Sequence, residues 1–119
     1  VQLDEVLALH SAAKEDDLEA AKRALDADSV DVDAPDEQGR TPLILSCMSN
    51  NIQIAKLLLR SGANPNAVDA LGRTALHYCM PAGFSACVVT LYNNDADDTV
   101  KDKHGQTAGD LTMKNGNNY

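Results

Sequence analysis

Aromatic residues are almost missing from this chain, which has no tryptophan, one phenylalanine and three tyrosines among 119 residues. A core of bulky rings is thereby excluded. Packing falls to Ala, Leu, Val and Ile, which suits thin, closely spaced helices better than a thick sandwich. Cysteine is scarce too: three residues, an odd number without CxxC or zinc-finger spacing. That excludes a disulfide framework and points to a reducing compartment, cytoplasmic or nuclear, with the plastid stroma left open. Positive charge is short, with ten Lys and Arg against 18 Asp and Glu and a net charge of −8. Readers of phosphate backbones need clustered cations, so nucleic acid is not an expected partner, nor is direct membrane binding. No 18-residue apolar run or signal-like stretch occurs, although a targeting peptide or domain before Val1 is left open.

What is present is enough to fold. Apolar residues make up 44% and charged residues 24%, well away from the low-apolarity, high-charge regime of disordered chains. The length suits one domain. Charge is distributed unevenly: residues 1–39 hold 12 of the 18 acids against Lys14, Lys22 and Arg23, a net of −9, while the rest sums to about +1.

Three segments align, beginning Asp36-Glu-Gln-Gly39-Arg-Thr41, Asp69-Ala-Leu-Gly72-Arg-Thr74 and Asp102-Lys-His-Gly105-Gln-Thr107, each 33 residues after the last. A fixed period of this length is the mark of a stacked repeat array. Further positions recur in order: Thr41-Pro42-Leu43, Ile54 to Leu59 and Gly62-Ala63-Asn64, then Thr74-Ala75-Leu76-His77, Gly83 and Val88-Val89, and before them Leu9-His10, Ala12-Ala13, Leu18 and Ala20-Ala21. On these residues the chain resembles the ankyrin repeat family over residues 4–119. The resemblance implies an all-α solenoid of stacked helix-turn-helix units with β-turn or hairpin fingers. It divides one domain into repeats near 4–35, 36–68, 69–101 and a partial 102–119.

Local chemistry agrees with that layout. Thr41 and Thr74 suit N-caps whose hydroxyls accept from first-turn amides, and Pro42 suits the first helical position, where no amide is needed. Gly62 follows a helix where the chain enters the left-handed region, so Gly62→Val is expected to unfold much of the domain. Asp95 replaces that glycine one repeat later, predicting a weaker stop, and Asn50 stands where the family has glycine. Pro81 removes an amide, predicting that its helix ends near Met80. The expected helices are 4–14, 18–26, 42–49, 53–61, 75–80, 85–93 and 107–114.

The resemblance also implies a binding surface on the finger tips and the exposed side of the first helix of each repeat. Its candidates are Glu37, Gln38 and Arg40, then Ala70, Leu71 and Arg73, then Lys103, His104 and Gln106, with Lys14, Glu15, Met48, Ser49, Pro81, Ala82 and Lys114 beside them. Leu71, Met48 and Pro81 would form a small apolar patch flanked by Arg40 and Arg73, suited to a peptide with a hydrophobic anchor and acidic neighbours. The alternative is that Leu71 folds back over its finger and Met48 is ordinary packing. His10 and His77 take the family's structural histidine position. Cys47, Cys79 and Cys87 fall where a thiol serves as a compact hydrophobe. Asp26, Asp28, Asp31, Asp33, Asp36 and Glu37 form an acidic run that either faces a basic partner or is a solvated finger. No calcium loop, phosphate cradle, metal set, cofactor motif or nucleophile-and-base pair is visible.

The expected function is a protein–protein interaction module, an adaptor, inhibitor or client escort without catalytic activity. The alternative is a structural or oligomerising domain appended to a larger enzyme or channel.

Overall fold

Helix formation follows the apolar spacing. In Ile52–Arg60, Ile54, Ala55 and Leu58 are buried while Gln53, Lys56 and Arg60 face water, the stripe of a helix packed on one side. The computed structural model describes residues 3–26 and 30–114, with the backbone alone at Leu3 and Lys114. Asp28, the Lys114 side chain and residues 115–119 lie outside the described residues. The helices are α1 (Leu3–Glu15), α2 (Leu18–Leu25), α3 (Pro42–Met48), α4 (Ile52–Arg60), α5 (Ala75–Ala82), α6 (Ser85–Tyr92) and α7 (Ala108–Lys114). No strand occurs among the described residues, and the fingers are turns.

Helices pair as α1 with α2, α3 with α4 and α5 with α6, and each pair stacks on its neighbours. An inner row runs α1, α3, α5, α7, and an outer row runs α2, α4, α6. The 41 × 25 × 22 Å envelope is that of a short one-dimensional stack. Its core is aliphatic: Leu9, Leu43, Ile44, Ile54, Leu58, Leu76 and Leu91 are fully buried, with alanines between them where helices approach closely. Burying each such large side chain contributes about 1.5–3 kcal/mol. Cys47, Cys79 and Cys87 are free thiols within this core, and burial pushes Cys79 up to about 12.

Helix ends show where local rules held. Thr41 Oγ1 accepts from the Ile44 amide at 3.2 Å. Thr74 and His77 form a capping box: the Thr74 hydroxyl faces the His77 amide as expected, the Thr74 amide donates to His77 Nδ1 at 3.1 Å, and the hydroxyl also lies 2.9 Å from that nitrogen. Gly62 has φ +95°, and a Cβ there meets nothing within 4 Å, so the cost of adding one is strain of the left-handed backbone and not a clash. Asp95 takes the same left-handed turn at φ 67°, and Ala96 still donates to Leu91 at 3.0 Å, as Ala63 does to Leu58. Asn50 also adopts positive φ, at 58°.

Pro81 does not end α5 at Met80; the helix continues to Ala82. Proline forfeits one amide in the last turn, and Gly83 and Phe84 close that turn by donating to Met80 and Cys79 at 3.1 and 3.0 Å. A missing donor near a helix end costs far less than one in the interior.

Candidate partner-binding face

Each finger is built on one aspartate. Asp36 Oδ1 accepts from the amides of Gln38 and Arg40, both at 2.9 Å. Asp69 does the same for Leu71 and Arg73, and Asp102 for His104 and Gln106. Such turns mimic a backbone turn with a side-chain oxygen. Neighbouring fingers are then tied by main-chain bonds, Ala70 N–H to Gln38 O at 3.0 Å and Lys103 N–H to Leu71 O at 2.9 Å.

Histidines hold fingers to helices. His77 is buried on α5, accepts at Nδ1 from the Thr74 amide, and its Nε2 lies 2.9 Å from Gln106 O in the next finger. With Nδ1 accepting, Nε2 carries the proton and donates to that carbonyl. His10 Nε2 lies 2.7 Å from Ala34 O in the same way. Ile44 stands at the corresponding place in α3, where it is buried and apolar.

On this frame the tip side chains Glu37, Gln38, Ala70, Leu71, Lys103 and His104 are all exposed, Leu71 at 41%. Leu71 therefore does not fold away. Arg73 is committed to Asp102, Nε to Oδ2 at 3.1 Å. Burial raises the Asp102 carboxyl, but the Gln106 and His104 amides and the Arg73 guanidinium outweigh it and hold the group below its ordinary value. Arg40 lies 5.8 Å from the Tyr78 ring centroid, and its buried Nε meets no acceptor among the described residues. Tyr78 itself donates to Asp69 Oδ2.

Two shallow grooves open on this face. One, of about 310 Å³, is lined by Arg73, His77, Tyr78, Pro81, Ala82 and Leu111. The larger, of about 570 Å³, lies between α1 and the first finger and brings Glu37, Gln38 and Lys14 together with Val6, Leu7, Ser11 and Asp36. Pro81 and Ala82 thus share a groove with Arg73, whereas Leu71 and Met48 line neither. Met48 is half-buried against the core, and Ser49 caps α3 with its side chain exposed.

Sequence reasoning missed Tyr78, Leu111, Val6 and Leu7. A register signal existed: Ser11, Leu45, Tyr78 and Leu111 each follow the position of His10, Ile44, His77 and Asp110. No group of three or more His, Cys, Asp or Glu among the described residues could hold a metal ion. No described helix is long and apolar enough to cross a membrane.

Helix pairs stacked in one direction, with turn fingers tied edge to edge, define a helical repeat solenoid that presents a ridged face. The family model described as ankyrin repeats, three copies, matches residues 9–102. The chain belongs to the ankyrin repeat family, whose repeats are protein-interaction modules. It is 35% identical over 101 residues to the mouse B-cell lymphoma 3 protein homolog, covering 85% of this chain and 22% of that protein. To human inversin it is 33% identical over 106 residues, covering 89% and 10%. To the Saccharomyces cerevisiae target of rapamycin complex 2 subunit AVO2 it is 35% identical over 88 residues, covering 70% and 21%. The chain spans less than a quarter of the length of each of these three curated relatives.

Proposed function

We propose that the domain holds a protein or an extended peptide on the face formed by its fingers and inner helices, through Glu37, Gln38, Arg40, Met48, Ser49, Leu71, Arg73, Pro81, Ala82, Lys103 and His104, and that it carries no catalytic activity. The observation that carries this reading is the locked register of the three tips: their backbones are fixed by aspartate turns and finger-to-finger bonds, while their side chains stay exposed. A surface ordered during folding loses little further entropy on association. Repeat boundaries at Asp36, Asp69 and Asp102 belong to the same proposal, supported by three identical turns. A reducing compartment is supported by three buried free thiols.

One observation favours the alternative, a structural appendage that docks by its back. The outer surface of α6 is uncharged, with Val89 57% and Tyr92 42% exposed, whereas α2 and α4 present Glu19, Lys22, Lys56 and Arg60. Affinity capture separates the two. A Leu71→Asp, Ala82→Asp variant alters exposed positions on the finger side, and Val89→Asp alters the outer row. With native melting curves confirmed, a partner retained by wild type and by Val89→Asp, but weakened at least tenfold by the double variant, is the expected result. Loss on Val89→Asp alone would support the appendage.

A further inference from the structure

Within the partner-binding reading, on which this inference rests, the stack contains an unmatched position. The residue before the finger threonine is Arg40, Arg73 and, in the last finger, Gln106, and one repeat before Arg40 the same place is taken by Val6, because Leu7-Ala8-Leu9-His10 aligns with Thr74-Ala75-Leu76-His77. In the third finger Asp102 Oδ2 receives the Arg73 guanidinium at 3.1 Å, and in the second Asp69 Oδ2 receives the Tyr78 hydroxyl. In the first finger Asp36 Oδ1 serves the turn, and no donor among the described residues reaches Oδ2. That carboxylate lines the 570 Å³ groove beside Glu37, against the apolar wall of Val6, Leu7 and Pro35.

We infer that this groove is a recognition site for an arginine side chain of a protein partner, its guanidinium on Asp36 Oδ2 and Glu37 and its aliphatic stem along Val6 and Leu7. The chain supplies its own template in the Arg73–Asp102 pair, which shows the geometry that the finger aspartate accepts. Charge agrees: residues 1–39 sum to −9. Lys14 lines the groove but lies beyond ion-pair distance of every described carboxylate, and His10 Nε2 is engaged with Ala34 O. Arginine fits better than lysine because its planar fork can meet two carboxylates while its stem packs on apolar surface. Leu7, 53% exposed, provides that surface.

The test titrates the 15N-labelled domain with the capped pentapeptide Ala-Leu-Arg-Leu-Ala and with the same peptide carrying citrulline, an uncharged isostere, in place of arginine. The expected result is saturable NMR shifts centred on the amides of Leu7, Ser11, Asp36 and Glu37, with citrulline binding about tenfold weaker or more, the worth of one charge-assisted hydrogen bond. Asp36→Asn, which retains Oδ1 for the turn, should weaken the arginine peptide similarly. Should that variant loosen the finger, Val6→Arg is the second arm: it supplies the guanidinium from within, and is expected to raise the melting temperature and abolish the peptide shifts. Equal binding of the two peptides, shifts centred elsewhere, or full binding by Val6→Arg would each overturn the assignment. Capture of a partner together with arginine-independent shifts would overturn this site alone, whereas arginine-dependent shifts without any captured partner would sustain it and count against the broader reading.

Discussion

Gly39→Ala is expected to lower stability by about 2–4 kcal/mol, and Gly105→Ala by only about 1 kcal/mol, although the two glycines have φ of 76° and 74°. Conformational strain is common to both. What differs is the neighbour: a Cβ on Gly39 would stand 2.8 Å from the Ala70 backbone nitrogen, whereas one on Gly105 meets nothing within 4 Å. The obstructing atom is main chain and cannot swing aside, and it is the amide that donates to Gln38 O. The substitution therefore forces the first two fingers apart. Gly72 faces Lys103 N at 3.2 Å and should fall between the two. Urea denaturation of the three variants decides the matter, and equal midpoints for Gly39→Ala and Gly105→Ala would show that finger contact contributes nothing.

His77→Ala is expected to cost about 2–4 kcal/mol, since it removes a buried side chain together with its two backbone hydrogen bonds and orphans the Thr74 amide. The Thr74 amide loses its acceptor, and the Gln106 carbonyl loses one of two donors while keeping the Asp102 amide at 2.8 Å, both at the junction of α5 with the next finger. His104→Ala, on an exposed tip, should change stability by less than about 0.5 kcal/mol. A loss below about 1 kcal/mol for His77→Ala would mean that water or a rearranged finger replaces both bonds.

Much of this architecture was legible in the residues because repeat folds write each structural requirement several times. One Asp-x-x-Gly-x-Thr segment is weak evidence; three at a spacing of 33 fix the finger, the helix start and the stacking direction together. Misreadings arose where a local rule was applied without its surroundings. Proline at position 81 does remove a donor, but the amides of Gly83 and Phe84 complete the turn, so α5 runs on. Gly62 is left-handed as its sequence implied, yet it points into open space, and the crowded glycine is Gly39, whose obstacle belongs to the next finger.

The candidate face was legible in outline only. Finger tips follow from register, since a tight turn must present its central side chains. Which inner-helix side chains meet across neighbouring repeats depends on rotamers and on the angle between helices, so Leu71 and Met48 do not share a groove with Pro81. The groove at Val6 and Leu7 escaped notice because the first repeat has neither the threonine that marks the other three nor the arginine of the second and third. Its character comes from what is missing at one position in a series.

The central claim, that partners are held on the finger and inner-helix face, is tested most directly by hydrogen–deuterium exchange on the domain alone and bound to the partner it captures. Slowed exchange across residues 36–41, 69–74 and 102–107, with α2, α4 and α6 unchanged, is the predicted result. Protection confined to Leu18–Leu25, Ile52–Arg60 and Ser85–Tyr92, with the fingers exchanging as before, would contradict it.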